Sequence, residues 1–97
     1  MDYTKFKVKE RLTKGAQIYL LLNVFENEIL PEESVANVVA IDQENNLIWV
    51  IERPHTKFDI YFRIYFKEGS LMAVSSGGQL HEIDESNGKI INSRMTK

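Results

Sequence analysis

The chain has 97 residues, 43% hydrophobic and 27% charged, with no cysteine and a formal net charge of −2. That length holds one domain, and the composition is that of an ordinary globular protein, not of a long disordered segment. The absence of cysteine excludes disulfides, thiolate metal sites and cysteine nucleophiles, and it suits a reducing compartment.

The small net charge hides a segregation. Residues 1–14 carry five Lys/Arg against two acids, residues 15–52 carry seven acids and no Lys/Arg, and residues 53–67 carry four basic residues against one acid. Such blocks mark partner surfaces, or strands whose opposite charges meet when a sheet forms. The longest strongly apolar stretch, residues 18–25, is interrupted by Asn23 and is too short to span a bilayer. The N-terminus opens into charges alternating with apolar residues, unlike a signal-peptide core. The expectation is a cytoplasmic protein with no membrane partner.

Along the chain, period two dominates. Lys5, Lys7, Lys9 and Arg11 alternate with Phe6, Val8 and Leu12, and only Glu10 breaks the apolar set. This strand is expected at a sheet edge, where its lysines oppose edge-to-edge aggregation. After the turn Lys14-Gly15, Ile18, Leu20, Leu22 and Val24 alternate with Gln17, Tyr19, Leu21 and Asn23, apolar enough for a central strand. Residues 26–35, with Glu26, Glu28, Glu32 and Glu33 around Leu30-Pro31, read as an acidic loop with one helical turn after the proline. Strands over 37–42 and 47–52 follow, then a loop at 53–57.

Residues 59–67 form the clearest amphipathic pattern. Ile60, Phe62, Ile64 and Phe66 are expected on one side, and Tyr61, Arg63, Tyr65 and Lys67 on the other. Glu68-Gly69, Ser76-Gly77-Gly78 and Ser86-Asn87-Gly88 are turn signals separating strands over 71–75, 79–84 and 89–92. The predicted fold is one all-β domain over residues 1–97. It is an antiparallel meander of about eight short strands curled into a half-barrel or small sandwich.

One hairpin occurs twice, 42 residues apart. Residues 40–49 align without gaps on residues 82–91, sharing Ile-Asp, two polar residues, Asn, a residue tolerant of positive φ, any residue, then Ile. Ile41 and Ile83 end strands facing the core, and Asp42 and Asp84 start the turns by accepting backbone N–H bonds. Asn46 and Gly88 are expected to reverse the chain, and Ile48 and Ile90 to restore the buried face. With the strand before each copy, the repeat makes two three-strand units at about 15–52 and 69–92.

The second copy, from Gly69 through Gly77 and Asp84 to Gly88-Lys89-Ile90, resembles a blade repeat of quinoprotein-type β-propellers. The first copy is similar, with Trp49 about one residue closer to its Asp than in the propeller pattern. Two units cannot close a ring of about four or more blades. Residues 15–92 as a whole are similar to a group of small bacterial all-β proteins that run Asn-Val-x-x-Ile-Asp, a polar turn, Ile-x-Trp and a later Ile-Asp…Gly-Lys-Ile. Some of these are taken to be immunity proteins, so the resemblance implies an inhibitor of a bacterial toxin.

The residues offer few routes to catalysis, and no enzyme role is expected. His81, Glu82, Asp84 and Glu85 gather metal-ligand types, but strand alternation puts His81 and Glu82 on opposite sides, and His55 is far off in sequence. Ser75, Ser76, His81 and Asp84 hold triad chemistry without a nucleophile elbow. Asp42 and Asp84 are turn formers, Gly77-Gly78 precedes no helix, and Trp49 sits in an apolar run as a core anchor. No cofactor or metal is expected.

The leading expectation is a non-enzymatic protein-binding module using Tyr61, Arg63, Tyr65, Lys67 and the acidic residues Glu26, Glu28, Glu32 and Glu33. A homo-oligomer completing a propeller- or barrel-like ring is the alternative. Single-stranded nucleic-acid binding through the Tyr/Arg strand stands third, disfavoured by the acidic block.

Overall fold

The computed structural model describes residues 2–23, 35–55 and 59–95. A 3-10 turn, Tyr3–Lys5, leads into eight strands: β1 Lys7–Lys14, β2 Gln17–Asn23, β3 Val38–Ile41, β4 Leu47–Val50, β5 Tyr61–Lys67, β6 Ser70–Ser75, β7 Gln79–Ile83 and β8 Ile90–Met95. They form two antiparallel four-stranded sheets in chain order, β1-β2-β3-β4 and β5-β6-β7-β8. The all-β meander is as the alternation predicts, with each unit one strand longer than the repeat alone suggests. Among the described residues no helix is long and apolar enough to cross a membrane.

The inner faces of the two sheets share one core. Tyr19, Leu21, Val38, Ala40, Trp49 and Ile51 from the first unit pack with Tyr61, Ile64, Leu71, Ala73 and Ile83 from the second. The outer face of the first sheet is apolar as well. Ile18, Leu20, Leu22, Val39 and Ile41 are buried there, with Tyr3, Phe6 and Val50 packed against them. The central strand β2 therefore buries both of its faces, which explains its unbroken apolar run.

Bulges decide which residues face inward. In β1, Val8 pairs with Leu22 but Glu10 pairs with Leu21, so the side-chain parity switches between them. Leu12 reaches the inter-sheet core, while Val8 lies on the outer side and is 48% exposed. The single apolar face read from Phe6, Val8 and Leu12 is thus two half-faces. β1 stands at the sheet edge, as its lysines predict.

The two hairpins of the repeat carry bulges too, and their loops differ by one residue. Ile41 pairs with Leu47 in the first, whereas Ile83 pairs with Ile90 in the second. Both aspartates build the turns: Asp42 accepts from the N–H of Glu44 and Asn46, and Asp84 from the N–H and hydroxyl of Ser86. The positive-φ residues are Asn45 and Gly88. The first copy therefore reverses at Asn45, one position before the expected Asn46, and Ile48 becomes an exposed bulge residue and not a core residue.

Candidate protein-binding face

Strand β5 holds the predicted contact residues, and it too is bulged. Tyr61 pairs with Ser75 and Arg63 pairs with Val74, so Phe62 is the extra residue. Tyr61 consequently faces the core with Ile64, at 1% exposure, and Phe62 turns outward. This corrects the expectation that Tyr61 shares the outer face. Asn37 fixes the arrangement: its side-chain oxygen accepts from the Tyr61 N–H at 2.9 Å, and its amide donates to the carbonyls of Tyr61 at 2.7 Å and Leu22 at 3.1 Å. The Tyr61 hydroxyl donates to the Glu52 carbonyl at 2.7 Å. Burial, then the charges of Glu52 and Asp59, hold that hydroxyl well above its ordinary pKa.

Beyond the bulge the alternation holds. Arg63 and Lys67 are exposed, Tyr65 is half-buried, and the Arg63 guanidinium lies 5.1 Å from the Tyr65 ring centroid. Registers extend this face across the sheet in two rows. Arg63, Val74, Leu80 and Arg94 form one, and Tyr65, Met72, Glu82 and Asn92 the other. The first row thus has an apolar middle, Val74 and Leu80, between two cations, whereas the second sets Met72 beside the carboxylate of Glu82. A shallow cleft of about 250 Å³ lies here, lined by Lys67, Glu68, Ser70, Met72, Glu82 and Arg94. Among the described residues none of the three cations has a carboxylate partner. Glu26, Glu28, Glu32 and Glu33 lie outside the described residues.

The other constellations have hydrogen-bond partners within the fold. His81 shares hydrogen bonds with Ser93 at 2.7 Å and Ser75 at 3.2 Å, but His81 and Ser75 are both fully buried and a substrate cannot reach them. Desolvation lowers the His81 pKa, so the ring stays neutral between two hydroxyls that can each donate or accept. Asp84 is occupied in its own turn, and Ser76 donates to buried Asp59 at 2.6 Å. His55 pairs with Glu52 at 2.8 Å. Among the described residues no three His, Asp or Glu side chains converge as metal ligands.

Met72, Leu80 and Arg94 were not singled out from sequence. The signal was present as the alternate residues of β6 and β7, but deciding which set faces outward needs the inter-strand register. Among curated proteins no sequence matches this one. A family profile matches residues 5–95, and the chain accordingly belongs to the family of domain of unknown function DUF7957.

Proposed function

We propose that this is a non-enzymatic protein-binding module whose contact surface is the outer face of the second sheet. The observation that carries the reading is the inequality of the four sheet faces. Two are buried against each other, a third is covered by Tyr3 and Phe6, and the fourth keeps Arg63, Lys67, Asn92 and Arg94 exposed among the described residues. That face has half-buried Val74 between Met72 and Leu80, which are only 7% and 8% exposed, with Tyr65 stacked under Arg63 and a charged rim around them. Arg63, Lys67 and Arg94 outnumber Glu68 and Glu82, so the complementary partner presents carboxylates around an apolar centre. A cysteine-free chain suits the cytoplasm as the place of this encounter. If the partner is a toxin, the role is that of an immunity protein.

A protein partner fits better than single-stranded nucleic acid. Base stacking needs successive exposed aromatics. With Tyr61 in the core, exposed Phe62 sits at the bulge outside the rows, and half-buried Tyr65 lies near the carboxylates of Glu68 and Glu82.

The test is affinity capture from host extract with the wild type and with an R63E/K67E/R94E variant. All three positions are on the surface, so the variant should keep its melting temperature. The reading expects a captured protein that, once purified, binds the wild type directly, binds less tightly as salt rises, and is lost with the variant. A partner held equally well by both forms, or one that proves to be nucleic acid, overturns it.

A further inference from the structure

Two open sheets leave four strand edges, and these edges are not alike. β1 carries Lys7, Lys9, Arg11, Lys14 and a bulge, all devices that discourage pairing. β5 is sealed by β1: Glu10 accepts from the Ile64 N–H at 3.1 Å, and the Lys9 ammonium donates to the Phe62 carbonyl at 3.3 Å. β4 is only four residues long, and the β7–β8 turn packs against it. There Trp49 donates to the Glu85 carbonyl at 2.9 Å, and the Glu52 N–H to the Gly88 carbonyl at 2.9 Å.

β8 is different. Its first N–H, at Ile90, is taken by the Glu52 carboxylate at 3.1 Å, and every residue beyond it is exposed. Ile91 at 58% and Met95 at 59% are the two most exposed large hydrophobics among the described residues. Among the described residues nothing seals the edge beyond Ile90, and an edge strand presenting apolar side chains is a template for another strand.

The strand is also complementary to itself. An antiparallel pairing of two β8 strands about Ser93 sets Ile91 opposite Met95 of the second copy and Asn92 opposite its Arg94. Apolar residues then meet apolar residues, and the two Arg94 side chains, the only charges in β8, stay apart. Centring the pair on Arg94 instead would set arginine against arginine.

We propose that β8 pairs antiparallel with β8 of a second copy across a twofold axis at Ser93, joining the two second sheets into one continuous eight-stranded sheet. The axis of such a pair is perpendicular to the sheet, so both outer faces lie on the same side. The assembly therefore presents two copies of that outer face next to each other. It does not depend on what that face binds.

Sedimentation of the full chain tests this, together with an I91K/M95K variant. The wild type should move from 11.3 kDa toward twice that mass as concentration rises, and the variant should remain monomeric with an unchanged circular dichroism spectrum. The chain has no native thiol, so engineered cysteines report the register cleanly. Under mild oxidation, a mixture of I91C and M95C chains should form a covalent dimer several-fold more readily than either alone. A wild type monomeric at high micromolar concentration overturns the proposal. So does a dimer indifferent to both lysines, or cross-linking no better in the mixture than in the separate variants.

Discussion

Gly88 shows how much one residue of the repeat carries. Its φ is +77°, and a Cβ placed there would lie 2.6 and 2.8 Å from ring atoms of Trp49 and 3.1 Å from the Val50 carbonyl oxygen. The glycine therefore serves two needs: it turns the β7–β8 chain back, and it lets that turn sit flat on the indole of the other sheet. Gly88→Ala meets the left-handed penalty and the overlap with a packed ring together, and should cost about 2–4 kcal/mol. Asn45, the equivalent turn residue in the first hairpin, has φ +68°. Asn45→Gly should change stability by no more than a few tenths of a kcal/mol. Urea unfolding of the two variants checks the contrast, and equal midpoints would remove the argument. The sequence shows both turns through their Asp residues. It does not show that the first reverses at Asn45, because Asn45 and Asn46 tolerate positive φ alike and a gapless alignment hides a loop shorter by one residue.

At the scale of elements, bulges separate what is legible from what is not. Strand number, the hairpins and the edge position of β1 follow from alternation and turn chemistry, and all are present, whereas the pairing outside the hairpins and the division into two sheets do not follow from them. The inward set of β5 does not follow. With Ile60, Tyr61, Phe62 and Ile64 in succession, either register places a large apolar side chain in the core, so nothing local marks Phe62 as the extra residue. The choice is made from a distance by Asn37, which holds the Tyr61 backbone at both its N–H and its carbonyl while tying it to Leu22. Asn37 is itself buried, so its loss leaves unpaired backbone groups in the interior. Asn37→Ala should cost about 2–4 kcal/mol and release the start of β5 first. Amide hydrogen exchange reads this directly: protection at Tyr61 should fall further than protection at Met72 in the centre of the same sheet. A uniform loss across both strands would mean that Asn37 stabilises the molecule without fixing the bulge.

For the whole molecule, the distribution of open surface bears on assembly as well as on binding. The first sheet has its outer face covered by its own N-terminal segment, so among the described residues the exposed charges of the second sheet's outer face and the exposed edge strand β8 are what is left for contacts. A ring needs two different joining surfaces per unit, whereas a single self-complementary edge suits a twofold pair. The buried ionisable groups set the pH range in which this architecture is stable. His81 has its pKa lowered from 6.5, chiefly by burial and against the opposing charge of Asp59. As pH falls through 6.5 the unfolded chain takes up a proton that the folded chain refuses. Stability should then decline with a slope approaching about 1.4 kcal/mol per pH unit. Asp42 and Asp84 are held below the usual carboxylate range by hydrogen bonds from Asn46 and Ser86, so their contribution is complete above 3.8 and is lost only as pH falls below it towards their lowered folded pKa values. Tyr19 and Tyr61 have pKa values raised from 10.0 by burial, Tyr19 with Glu85 beside it, so the folded chain keeps protons that the unfolded chain releases above pH 10. Stability therefore falls towards both limits, rising with pH below 6.5 and declining with pH above 10, with a plateau between them. Urea midpoints measured across that range and beyond it test the profile. In His81→Gln the acid decline should begin at lower pH, because the imidazole that takes up a proton on unfolding is gone. A wild-type midpoint that stays level through about a unit below 6.5 would mean that His81 is not held neutral in the folded core.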